Sequence, residues 1–136
     1  MRYFPFLPSS QWLKIFRVVV SLFLVAHGCI RIYAGTVGGF GEFLGSKGFP
    51  AGVVLAWGIT VFEITGGLTL AAGYFVRWIC AVFIVELLFG IWLVHAPNGW
   101  FVVGYTSGGM EYSVLLILSF LVVASTEKPE QDNIIF

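Results

Sequence analysis

Four long apolar runs dominate the chain, separated by breaks rich in glycine and proline. The first covers about residues 12–34, with Lys14 and Arg17 near its start and Arg31 near its end. A transmembrane helix needs about 20 apolar residues, and this run is long enough. Pro5 and Pro8 block helix before it, so residues 1–10 read as an interfacial anchor, with Ser9 or Ser10 as N-cap. The run is too long for a signal-peptide core and lacks a small-residue cleavage site, so it reads as a retained helix. The second run covers about 51–73 and contains Gly58, Gly66 and Gly67, tolerable where membrane helices pack closely. The third covers about 75–96, after a very short turn, and Pro97-Asn98-Gly99 ends it. The fourth, about 110–125, is the shortest at roughly 24 Å. Residues 35–50 read as a Gly-rich loop, and a second loop carries Trp100, Gly104, Gly108 and Gly109. The pattern predicts an all-α fold, a polytopic membrane four-helix bundle. Residues 1–126 form a single transmembrane domain and 127–136 a solvated cytoplasmic tail.

Composition strengthens this reading. The chain is 59% hydrophobic and 10% charged, whereas soluble domains carry about 25% charged residues. So little polar surface cannot cover a soluble globule. Net charge is zero and there is no basic run, so no nucleic-acid partner is expected. The expected surroundings are a lipid bilayer, with partner subunits or a homo-oligomer as further candidates. One side of the predicted bundle holds Arg2, Lys14, Arg17, Arg77 and Lys128, the other Arg31 and Lys47. The positive-inside rule then puts both termini in the cytoplasm and both long loops outside, in a bacterial inner membrane. Cys29 and Cys80 form no CxxC pair and fall near opposite membrane faces, so no disulfide is expected.

Ionisable groups within a membrane are costly, and those that persist usually face other helices or a cavity. The candidates are His27, Arg31, Glu63, Glu86, His95 and Glu111. Counting about 1.5 Å per residue puts Arg31, His95 and Glu111 within roughly 5 Å of the outer boundary. His27 falls about 10 Å deep, Glu86 about 15 Å and Glu63 roughly 20 Å. His27 and Arg31 share a helix face. Glu63 lies on a stripe of small residues, Ala56, Thr60, Gly67 and Ala71, and should point into the bundle. Glu86 and His95 are nine residues apart and fall on opposite faces unless the helix breaks. His95 can reach the headgroups, which leaves Glu86 as the better inward candidate. The expectation is a polar pocket in the outer half of the bundle. His27, Arg31 and Glu63 form its walls, and Glu111 and the loops lie above. Such a site suits a polar headgroup such as a quinone carbonyl. Spacing matches no standard metal-ligand pattern. His27 and His95 differ too much in depth to ligate one haem well.

The run LFLVAHGCIRIYAG at 22–35, the GFP at 48–50 and FEITGGLTLAAGYFVRW at 62–78 resemble the DoxX family of small bacterial membrane proteins. HAPNGWF at 95–101 and GMEYSVLLI at 109–117 resemble its third-helix end and fourth-helix start. The resemblance covers about residues 15–122. Arg31 stands where the family more often has Lys, which keeps the charge but makes a planar fork. The resemblance implies a four-helix integral protein. Some members are similar to a subunit of thiosulfate:quinone oxidoreductase, and others are linked with complexes handling oxidative or thiol stress. His27, Arg31, Glu63, His95 and Glu111 match the family's recurrent polar residues.

Two functions follow as expectations. One is a membrane subunit of a quinone- or thiol-linked redox system, with quinone as the candidate cofactor and His27, Arg31, Glu63 and Glu111 handling ligand or protons. The other is a non-catalytic membrane anchor or assembly partner, whose polar residues only fix packing. A transporter is a weaker third, since the chain's halves each pair a His-bearing helix with a Glu-bearing one.

Overall fold

The computed structural model describes residues 4–105 and 107–127. Arg2, Lys128 and residues 128–136 of the expected tail lie outside the described residues. The order of elements is α1 (Ser9–Tyr33), α2 (Val37–Ser46), α3 (Gly52–Ala72), α4 (Val76–Gly90) and α5 (Glu111–Ser125). A π turn at Ile91–His95 and a 3-10 turn at Ala96–Asn98 continue α4. No strand occurs among the described residues. Three spans, Ser9–Tyr33, Gly52–Ala72 and Val76–Asn98, are long and apolar enough to cross a membrane. The fold is a membrane helical bundle. Its outer surface carries exposed Phe23, Ile30, Trp57, Leu68, Trp78, Trp92 and Leu118, as expected where the solvent is lipid.

Two elements differ from the sequence pattern. The α1 helix starts at Ser9, and Pro8 takes the N-cap position in an extended conformation. Proline is well placed there, because the first N–H groups of a helix lack intrahelical partners. The larger difference is α2, a ten-residue helix inside the expected loop. Val37, Phe40, Gly41 and Leu44 recur at helical spacing and face α3, and they outweigh the propensity cost of the glycines. The glycines also serve the contact. A Cβ on Gly41 would meet the Val53 Cα at 2.5 Å, and one on Gly52 would collide with the Gly41 carbonyl.

Packing is organised in two apolar groups. One joins Val20 and Leu24 of α1, Leu70 of α3, Val76, Ile79, Cys80 and Phe83 of α4, and Phe120 and Val123 of α5. Phe83 is central, with ring centroids 5.1 Å from Phe62 and 5.3 Å from Phe120. The other group is Val37, Leu44 and Ala56, capped by Phe40, Phe43, Phe49, Ile59 and Leu93. Lipid supplies no hydrophobic drive between helices, so close packing must do the work. Small residues allow it where α1 crosses α3. A Cβ on Gly28 would meet the Thr60 carbonyl at 2.9 Å, and one on Gly67 would meet Val25 at 2.6 Å. Three buried hydroxyls are satisfied within their own helices: Ser21 donates to Arg17 O, Thr60 to Ala56 O and Ser119 to Leu115 O.

Those contacts set the register of α1 against α3. Gly28 lies level with residues 60–64, and Val25 with Gly67. The first turns of α3 therefore extend past the end of α1 and pack on α2 instead. This corrects the sequence depths. His27 and Glu63 are level, because α3 begins beyond the end of α1.

Candidate functional site

The last two turns of α1 carry His27 and Arg31 on one face, and the third and fourth turns of α3 present Thr60 and Glu63. Glu63 is 2% exposed and Thr60 fully buried. The Arg31 guanidinium grips Glu63 with both ends of its fork, Nη1 to Oε2 at 2.5 Å and Nη2 to Oε1 at 3.2 Å. Nη1 also donates to Thr60 Oγ1 at 2.9 Å. Arg31 Cζ sits 4.6 Å from the centroid of the Phe40 ring, so α2 lays an aromatic face on the cation. A bidentate pair with further hydrogen bonds is the geometry that best offsets the cost of desolvating two charges. Arg31 also lies near the C-terminus of α1, where the helix dipole favours a cation.

His27 completes the cluster from outside. Its side chain is 67% exposed, yet Nδ1 lies 3.2 Å from Glu63 Oε1 and 3.1 Å from Arg31 Nη2. One Nδ1 cannot serve both partners alike. As an N–H it donates to Glu63, and unprotonated it accepts from Arg31. The ring thus has two hydrogen-bonded states that differ in its proton, while Nε2 points away from both partners. Glu86 of α4 is half-buried.

The other two candidates lie elsewhere. His95 Nδ1 donates to the Gly108 carbonyl at 2.8 Å, which ties the end of the π turn to the loop before α5. Glu111 Oε1 accepts from the Val102 N–H at 3.0 Å. Backbone bonds from Gly109 to Phe101 and from Met110 to Gly99 close the same loop. His95 and Glu111 therefore organise the 99–110 loop, and the structure does not bring them to the Arg31–Glu63 cluster. Sequence reasoning placed Thr60 only on a small-residue stripe and missed Phe40. The helical spacing of Val37, Phe40 and Leu44 was the signal for the latter. Among the described residues no group of three or more His, Cys, Asp and Glu is arranged to hold a metal ion. Cys29 is exposed and Cys80 buried, both as free thiols.

Neither the comparison with curated proteins nor that with solved structures returns a match. The family model of DoxX matches residues 12–96, which takes in α1 to α4 and with them His27, Arg31, Thr60, Glu63 and Glu86. With its apolar spans and this match over more than half its length, the chain belongs to the DoxX family of membrane proteins.

Proposed function

We propose that this protein is a membrane subunit of a redox system that presents His27 to a quinone headgroup at the lipid-facing surface of the bundle. The observation that carries this reading is the contrast within one cluster: an exposed imidazole backed by a buried carboxylate–guanidinium pair. Nε2 donates a hydrogen bond to a carbonyl oxygen. Nδ1 faces the Glu63 carboxylate at 3.2 Å, through which a proton is exchanged. Arg31 keeps Glu63 oriented and Phe40 shields the pair. The same reading places the protein in a bacterial inner membrane, with both termini cytoplasmic and the cluster in the outer half. Electrons enter from a partner subunit.

The test is binding of decylubiquinone to the purified protein in nanodiscs, followed by quenching of tryptophan fluorescence. Losing one hydrogen bond to the ring should weaken binding about tenfold in His27→Ala. Equal binding by wild type and His27→Ala would sink the reading.

A second reading, a non-catalytic anchor or assembly partner, is favoured by a different observation. Arg31, Thr60 and Glu63 satisfy one another within the bundle. Copurification of a partner subunit that survives His27→Ala, with no quinone bound, would support it.

A further inference from the structure

At the opposite end of the bundle, α1 and α5 frame a cavity of roughly 240 Å³ lined by Ser10, Leu13, Lys14, Arg17, Thr126 and Glu127. It lies where the apolar part of α5 ends and the first turns of α1 begin. Its chemistry is cationic. Lys14 is exposed, while Arg17 is half-buried with its guanidinium over the α3–α4 turn, where a Cβ on Gly73 would meet Nη2 at 2.8 Å. The one carboxylate, Glu127, is held loosely, 3.9 Å from Arg17 Nη1. Arg77 is drawn to the same corner by a 2.7 Å bond to the Glu127 carbonyl. Arg17 Nε is buried without a hydrogen-bond partner, and an unmet buried donor of a cation is costly. A cavity lined by two cations and a free hydroxyl at a membrane boundary calls for an anionic acceptor.

We propose that this cavity binds the phosphate of an anionic phospholipid. Lys14 and Arg17 supply the charge, and Ser10 supplies a hydroxyl. With Lys14 and Arg17 against Glu127, the lining carries one net positive charge, matched by the single negative charge of a phosphatidylglycerol headgroup. The framing helices expose Ile15, Val19, Leu118 and Val122, an apolar surface for acyl chains. A lipid rather than free phosphate is favoured because the cavity opens between two helices whose outer faces are apolar.

The test is native mass spectrometry of the full chain in detergent with added dioleoyl-phosphatidylglycerol or dioleoyl-phosphatidylcholine. Wild type should retain phosphatidylglycerol in preference to phosphatidylcholine. Each surface cation is worth about fivefold, so Lys14→Gln should lose about that factor in retention. Lys14 is exposed, so this variant tests the site without disturbing the core. Arg17→Gln should lose at least as much, and Lys47→Gln, at the other end of the bundle, nothing. Equal retention of the two lipids, or no change in Lys14→Gln, would overturn the proposal. Displacement of the lipid by millimolar inorganic phosphate would overturn the lipid source in favour of free phosphate.

Discussion

The His27 ring and the Glu63 carboxylate touch across the α1–α3 interface, Nδ1 to Oε1 at 3.2 Å, with one side chain 67% exposed and the other 2%. This asymmetry separates stability from function. Removing the exposed partner leaves Glu63 bound to Arg31 and Thr60-linked as before. His27→Ala should therefore cost about 1 kcal/mol or less. Glu63→Ala strips a buried guanidinium of its counter-ion and should cost about 3–5 kcal/mol. Thermal unfolding in detergent, followed by circular dichroism, compares the two. Equal losses would show that the cluster does not have a buried and an exposed side.

The ion pair itself makes a second prediction. Arg31→Ala alone should destabilise about as much as Glu63→Ala, because each leaves an unpaired charge in a low-dielectric site. The double replacement Arg31→Met with Glu63→Leu removes both charges and keeps volume, and should unfold close to wild type. It should nevertheless abolish any proton exchange through His27 Nδ1. A double variant as unstable as the sum of the singles would mean that the pair contributes net stability of its own.

Much of this architecture was legible in the residues. Apolar runs of membrane-spanning length, bounded by Pro97-Asn98-Gly99 and the short turn before Val76, located the long helices within a few residues. Ala56, Thr60 and Gly67 around Glu63 showed which face of α3 is buried, and the four-residue spacing of His27 and Arg31 put them together. Depth was not legible, because a residue count along each run assumes that every run starts at the same boundary. Here α3 starts beyond α1, against a helix that the glycines of residues 35–50 disguised as a loop. His95 and Glu111 were expected beside the pocket from their resemblance to the family pattern. Their partners, the Gly108 carbonyl and the Val102 N–H, are backbone groups of an irregular loop that no periodicity reveals.

That hidden helix has a measurable role. Phe40 lies over the Arg31 guanidinium at 4.6 Å. Phe40→Leu keeps an apolar cap and removes the ring quadrupole, which should cost about 0.5–2 kcal/mol. It should also raise the rate of backbone hydrogen exchange in α2, whose hold on the bundle includes this contact. A Phe40→Leu protein with wild-type stability and exchange would show that the cap acts by shape alone.

The close approach that makes the cluster can be tested with two glycines of opposite setting. A methyl on Gly28 would meet Ile64 Cγ1 and the Thr60 carbonyl at 2.9 Å each, and Glu63 Cβ at 3.2 Å. The isoleucine can shift, but the carbonyl belongs to the α3 backbone, so α1 must move away from the residues that Arg31 grips. Gly28→Ala should cost about 1–3 kcal/mol, the usual penalty of overpacking. Gly58 is also inside a helix, yet a Cβ there meets nothing within 4 Å. Gly58→Ala should gain up to about 1 kcal/mol from helix propensity. Opposite shifts in unfolding temperature for these two identical chemical changes would identify steric contact, not backbone flexibility, as the reason Gly28 sits beside Glu63. A shift of the same sign in both would refute it.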